Sequence, residues 1–458
     1  MKVYLSAVAC LLVMSVARAQ SDGIGDPTFS KLGNKGYLAS HYDLKINYNP
    51  TSNLFVGDVK MDAVATTGLK TFSVDFTGFT IKRVRLNGAT VPFTRTDAKL
   101  RIQPVKPIAK GEKFVLETEY SGNPKTAQSA SLPPGMKSGW ISYPGGAVAV
   151  CEPDLAHTWF PCNDHPLNKA TFDVEVTAPS PFVSISNGIG TAVTQNTTHF
   201  VLDKPSMTCM VTVAVGKFAS IKQKGLNDLP MTNYVPRGTE GQSQHSFDAT
   251  PKFMKFLADR IGPYPFSSYG VVILPNEVTG VSMLMAAAAI ETTSIPVFGP
   301  IGVGNPETLC HELTHQWMGD CVSVRNWGDD IWWVEGFAQY SEWLFVEMTE
   351  GKSAYDQAVK AAYGQYSAPG KWLKPGHLTA QEMFGAPSYV GGALTYHALR
   401  KTLGDVKFYA TIKAFIEKNR YGNGSTKDLI EVASKVAGRD MKPFFVTWLS
   451  GDTAPKLP

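Results

Sequence analysis

Between about Tyr42 and Phe218, apolar side chains recur at every second position. Val59, Met61, Ala63 and Ala65 alternate with Asp58, Lys60 and Asp62. Phe114, Leu116, Thr118 and Tyr120 alternate with mainly charged neighbours, as do Phe172, Val174 and Val176. Period two places one face of a pleated strand in a core and the other in water. Asn87-Gly88, between Val84/Leu86 and Val91/Phe93, predicts a two-residue hairpin, because that tight turn demands positive φ. Short strands at this spacing predict an antiparallel, sandwich-like β domain over residues 20–222. Gln128–Pro166 breaks the rhythm. It is rich in Pro, Gly and aromatics, reads as loop, and holds Cys151-Glu152-Pro153 and Phe160-Pro161-Cys162-Asn163-Asp164.

Past a polar, glycine-containing stretch at Lys217–Gly241, the period becomes helical. Helices are predicted over Pro251–Ile261, Asp330–Met348, Ala354–Tyr366, Gly391–Leu403, Val406–Asn419, Lys427–Ala437 and Met441–Leu449. Val271–Leu274 reads as a buried strand, and the small, apolar Gly280–Ile290 as an edge strand or cleft-lining loop. Residues 223–458 therefore form a mainly helical second domain, and the class is α+β multidomain.

The first residues change the expected location. Met1-Lys2, an apolar run from Val3 to Val16, and Ala17-Arg18-Ala19 make the pattern of a secretory signal over residues 1–19. The run is too short to span a bilayer, and no later stretch reaches about 18 continuous apolar residues. Export to a periplasm or the medium is expected, with no membrane span after signal removal. At 43% hydrophobic and 18% charged residues the chain can bury a core and is not disordered. Its net charge of +4, with no Lys/Arg run interleaved with aromatics, excludes nucleic acid as a partner. Cys151, Cys162, Cys209, Cys310 and Cys321 are an odd, sparse set, consistent with zero to two disulfides and at least one free thiol. A Cys310–Cys321 bridge is geometrically open.

The chemistry centres on His311-Glu312-Leu313-Thr314-His315. On a helix the two imidazoles lie one turn apart on one face, where both reach a single metal. Glu312 lies about 100° round the helix, close enough to activate a water on that metal without ligating it. Asn305, Pro306 and Glu307 read as N-cap, N1 proline and first-turn acid, and Gly319 as a stop. Zinc hydrolases use three protein ligands and an open fourth position. Glu335, in the next helical pattern, is the candidate third ligand, with Asp330 as its competitor.

These pieces occur with others in order: Glu152-Pro153, Phe160-Pro161-Cys162, Asp164, Gly262-Pro263-Tyr264-Pro265-Phe266, Glu335-Gly336-Phe337-Ala338 and Ser388-Tyr389-Val390-Gly391-Gly392. Together they resemble the gluzincin aminopeptidases of the aminopeptidase N family, over nearly the whole chain after the signal. The resemblance implies an N-terminal β-saddle domain, a thermolysin-like catalytic domain, one zinc ion per chain, and peptide substrates that lose N-terminal residues. The long helical superhelix of larger members is expected to be missing, since the chain ends soon after Trp448. By resemblance, His311, His315 and Glu335 are zinc ligands, Glu312 is the general base, and Tyr389 hydrogen-bonds the oxyanion.

Three departures from the family pattern stand out. The spacing from His315 to Glu335 is one residue longer than usual, placed in the Asp320–Asp329 connection, where loops absorb insertions. The lysine usual two residues after the tyrosine is Gly391. The Gly-Ala-Met-Glu-Asn signature, whose glutamate grips the substrate amine, should fall at Gly280-Val281-Ser282-Met283-Leu284, where no carboxylate stands. Glu152 then remains as the amine anchor, although the glutamine usual two residues before it is Val150. The leading reading is an aminopeptidase with atypical amine recognition. Its alternatives are a zinc endopeptidase or hydrolase of N-blocked substrates, and an inactive binding or scaffold protein.

Overall fold

The structure is a computed structural model that describes residues 23–96, 98–282, 285, 288–301, 305–368 and 370–458. The alternating segments form an eight-stranded sheet. In spatial order its strands are Ile189–Ala192, Thr197–Ser206, Ala170–Thr177, Tyr37–Asn49, Leu54–Ala65, Lys113–Gly122, Thr80–Leu86 and Ala89–Thr90. Val59, Met61 and Ala63 lie opposite Thr118, Leu116 and Phe114, so the apolar positions of both strands share one buried face. Asn87 and Gly88 turn the expected hairpin at φ of 51° and 80°.

One pair departs from the antiparallel expectation. Tyr37–Asn49 runs parallel to Ala170–Thr177, which the long intervening chain permits as a crossover. A second, five-stranded sheet faces the core: Val183–Ser186, Val213–Gly216, Gly146–Val150, Ser138–Tyr143 and Thr126–Ala127. Two of its strands, Ser138–Tyr143 and Gly146–Val150, come from the stretch that reads as loop. All five residues of Gly146–Val150 are buried, so nothing in that strand alternates.

The change of sheet falls at Lys217. Phe218–Lys224 pairs with Pro230–Pro236 and opens a mixed sheet that continues through Val272–Ile273 and Val297–Phe298 to the edge strand Ala289–Ile290. The main helices beyond it are α1 (Thr250–Ile261), α2 (Pro306–His315), α3 (Trp327–Glu350), α4 (Lys352–Tyr366), α5 (Gly392–Leu403), α6 (Asp405–Asn419), α7 (Thr426–Ala437) and α8 (Lys442–Ser450). Among the described residues no helix is long and apolar enough to cross a membrane. The five cysteines of the described chain are free and buried, so the Cys310–Cys321 bridge does not form.

Helix α3 starts earlier than its sequence pattern, because its first turn is capped from outside. The Trp327 N–H donates to Asp26 Oδ2 (3.0 Å) and the Gly328 N–H to Thr28 Oγ1 (3.1 Å). Asp26 also meets His165 of the β domain at 3.2 Å, which ties the chain start, the β domain and α3 together. Helix α3 is buried along most of its length and packs closely on α5 at two glycines. A Cβ on Gly336 would lie 2.6 Å from Gly392 Cα, and one on Gly392 2.6 Å from the Trp332 carbonyl. Gly392→Ala therefore forces the helices apart and is expected to cost about 1–3 kcal/mol, read as a lowered denaturation midpoint. An unchanged midpoint would mean that the backbones are not in contact.

Candidate metal centre

Helix α2 begins as its sequence predicts. Asn305 Oδ1 accepts the Glu307 N–H at 2.9 Å and Pro306 takes the first position. The helix runs to His315, and Gly319 comes after it at φ 140°. His311 and His315 lie on one face with ring centroids 4.8 Å apart. Each ring has its Nδ1 occupied. His311 Nδ1 is 2.8 Å from Glu342 Oε1, and His315 Nδ1 is 3.2 Å from the Met318 carbonyl. An acceptor at Nδ1 fixes the proton there and turns the Nε2 lone pair to the other side.

Both Nε2 atoms converge on Glu335 from α3, each 3.5 Å from Oε2. That oxygen is buried and has no hydrogen-bond partner among the described residues. Two ligand atoms about 2.0–2.1 Å from a tetrahedral zinc stand about 3.4 Å apart, so these spacings fit the ion. The donor set, two imidazole nitrogens and one carboxylate oxygen, is one that catalytic zinc takes. The competitor Asp330 is used elsewhere, since it accepts the Asn326 N–H (3.1 Å) and the Thr426 N–H (2.7 Å).

Without a metal, the carboxylates load the cluster with protons. Burial opposes charge on His315, but Glu291 and Glu335 outweigh it and lift the imidazole to about 9. Zinc needs the neutral ring, so protons compete for the site below about pH 9 and each imidazolium must release one. Zinc uptake by stripped protein is therefore expected to strengthen as pH rises from 6 to 9, by about tenfold per unit for each proton displaced. Glu342→Ala should weaken uptake about 10–100-fold by freeing His311 Nδ1. Chelator competition measures both, and a pH-independent affinity would contradict the ligand assignment.

Glu312 is buried beside this set, and its Oε2 has no partner among the described residues. Burial, opposed by the two histidines and aided by Glu291 and Glu335, pushes its carboxyl up to about 8. Tyr389 sits on a single π-helical turn, Pro387–Gly391, just before α5, with its ring 5.9 Å from that of His311 and near-parallel to it. Burial and the carboxylates of Glu335, Glu291, Glu152 and Glu312 raise its phenol well above the ordinary range, so it stays a protonated donor.

Of the residues expected to meet a substrate amine, the structure brings in Glu152 but not the Gly280 stretch. Glu152 lies just past the buried strand Gly146–Val150 and is itself buried. Gly280 closes a 3₁₀ turn, Val281 is exposed, and Ser282 Oγ accepts the Met285 N–H. None of the three bonds to the histidines or their carboxylates. Met283 lies outside the described residues.

A different carboxylate, Glu291, stands beside the histidines. It comes directly after the edge strand Ala289–Ile290, is 4% exposed, and lies 3.7 Å from His315 Nδ1. Glu152, Glu291 and Glu335 each present an oxygen within 4.8 Å of the other two. Burial, then Glu291 and Glu335, push Glu152 well above the usual carboxylate range, and burial raises Glu291 too. The signal lay in Ala288-Ala289-Ile290-Glu291, which repeats the small, small, apolar, Glu order of the signature.

Comparison with known proteins identifies the family. The Peptidase family M1 domain matches residues 245–448, and the Peptidase M1 N-terminal domain matches residues 38–211. The chain belongs to peptidase family M1. Endoplasmic reticulum aminopeptidase 1 of Homo sapiens is 24% identical over 487 residues, covering 96% of this chain and 51% of that protein. Aminopeptidase M1-C of Oryza sativa subsp. japonica is 27% identical over 337 residues, covering 68% and 37%. The chain thus spans about half the length, or less, of these curated relatives. An M1 zinc metallopeptidase from Deinococcus radiodurans matches end to end. Its structure with a Tyr-Ser-Ala substrate superposes at a TM-score of 0.86, with 28% identity, over 95% of this chain and 99% of that one.

Proposed function

We propose that this M1 chain is a zinc aminopeptidase that removes N-terminal residues from short peptides and acts as an exported enzyme. One observation carries the reading. Glu152 and Glu291 are two buried carboxylates that the metal set does not need, placed beside its third ligand. Crowded together they resist ionisation, and a cation between them relieves that cost. In an amino acid the amine nitrogen lies only about 2.5 Å from its own carbonyl carbon. An ammonium held by Glu152 and Glu291 therefore delivers the carbonyl of the first residue to the metal centre, and no later one. Each charge-assisted hydrogen bond contributes about 1.5–3 kcal/mol, roughly tenfold to a hundredfold in affinity. Glu291 beside Glu152 favours a free amine over an N-blocked one, and the clustering of His311, His315, Glu335, Glu312 and Tyr389 favours an enzyme over an inactive scaffold. Export rests on the pattern of residues 1–19.

The chain's own groups divide the reaction. Bound at His311, His315 and Glu335, zinc would supply Lewis-acid polarisation of the carbonyl and a water acidic near neutral pH. Glu312 takes the proton of the attacking water and returns it to the leaving nitrogen. The Tyr389 hydroxyl donates to the carbonyl oxygen as negative charge gathers there.

The test compares free-amine aminoacyl fluorogenic substrates with N-acetylated and internally quenched peptides, using Glu312→Gln as the inactive control. The free amines should be cut far faster. Equal rates on acetylated peptides would end the aminopeptidase assignment.

A further inference from the structure

We infer that Gln316 is a positioning residue that registers the amine-binding carboxylate against the metal helix; this rests on reading Glu291 as an amine anchor. Gln316 is next in the chain after His315 and is fully buried. Its amide is spent at both ends on one loop. Oε1 accepts the Ser294 N–H at 2.7 Å, and Nε2 donates to the Glu291 carbonyl at 3.3 Å. The two bonds bracket Glu291–Ser294 and staple that backbone to the chain one residue beyond a ligand.

The loop needs the staple. The edge strand that delivers Glu291 is two residues long, too short to fix the loop beyond it. Ser294 holds φ of 64°, a conformation that a residue with a side chain keeps only when its neighbours impose it. The other grips fall further along. Asn187 Nδ2 donates to the Thr293 carbonyl (2.6 Å), the Thr293 N–H to the Met210 carbonyl (3.1 Å) and Thr293 Oγ1 to Asp320 Oδ1 (2.9 Å). The Gly188 N–H donates to Ser294 Oγ (2.8 Å) and the Gly270 N–H to the Ser294 carbonyl (3.0 Å), and the Ser206 and Thr293 hydroxyls meet at 2.7 Å. Among the described residues, only Gln316 bonds the carbonyl of Glu291 itself. Gln316 thereby ties the ammonium site directly to the metal helix, while strand pairing and the bonds at Thr293 and Ser294 hold the rest of the loop. The distance between the ammonium site and the metal set decides that the first carbonyl, and not the second, is the one attacked.

Gln316→Met keeps the shape and removes both bonds, so it separates positioning from packing. With zinc content full, it should raise KM for free-amine substrates roughly tenfold, the size of one lost charge-assisted contact, while kcat and the slow turnover of N-acetylated peptides stay near wild type. In a Glu291→Gln background, Gln316→Met should add nothing further to KM. Equal losses on free and acetylated substrates, zinc loss in proportion to activity, or full additivity with Glu291→Gln would each overturn the inference. Glu291→Gln alone tells the two failures apart. If it leaves the free-amine preference intact, the anchor falls and Gln316 with it; if it erases the preference while Gln316→Met does not, only the role of Gln316 falls. Should Gln316→Met not fold, Gln316→Glu retains the acceptor for Ser294, loses the donor to Glu291, and is held to the same substrate comparison.

Discussion

Replacing Glu312 by Gln is expected to lower kcat by about 10²–10⁴ while zinc content and folding stay unchanged. The substitution is isosteric, and Glu312 makes none of the ligand contacts, so the metal set should persist. The change removes a carboxylate whose Oε2 faces the site without a partner among the described residues and whose proton affinity is set by burial and by its charged neighbours. An amide cannot accept and return a proton. Metal analysis beside steady-state kinetics checks the expectation. A variant that keeps more than about a tenth of wild-type kcat, or that loses its zinc, would remove Glu312 from the role of base.

His315→Ala should be more severe, because it takes away both a ligand and the group around which the carboxylates are arranged. His315 is 1% exposed and lies between Glu335 on one side and Glu291 on the other. Without it two ligands remain, fewer than the three that catalytic zinc sites keep. The purified variant should carry little zinc, and turnover should fall at least as far as in Glu312→Gln. Glu335, which the histidines hold down to about 2 against the cost of burial, should regain protons at higher pH once His315 is gone. Wild-type zinc content in His315→Ala would place the metal elsewhere.

Much of this site was legible because its signals are local. The spacing of His311 and His315, the Asn305-Pro306-Glu307 start, and the Asn87-Gly88 turn each act within a few residues, where geometry is dictated by the backbone. Glu335 was legible through the helix that carries it. The features that were not legible depend on partners far away in the chain. The strands Ser138–Tyr143 and Gly146–Val150 are covered on both faces and show no alternation. Helix α3 begins at Trp327 because Asp26 and Thr28, some three hundred residues earlier, cap it. Glu291 is not legible beside the glycine of the expected signature, because its position is set by pairing of Ala289–Ile290 with Val297–Phe298 and by the bond from Gln316.

The most direct test of the account is a crystal structure of the zinc-loaded protein with a product amino acid bound. The account predicts the amine nitrogen about 2.7–3.0 Å from a carboxylate oxygen of both Glu152 and Glu291, with the carboxylate of the amino acid at the metal held by His311, His315 and Glu335. An amine that meets neither Glu152 nor Glu291, or that points towards Gly280–Ser282, would contradict it.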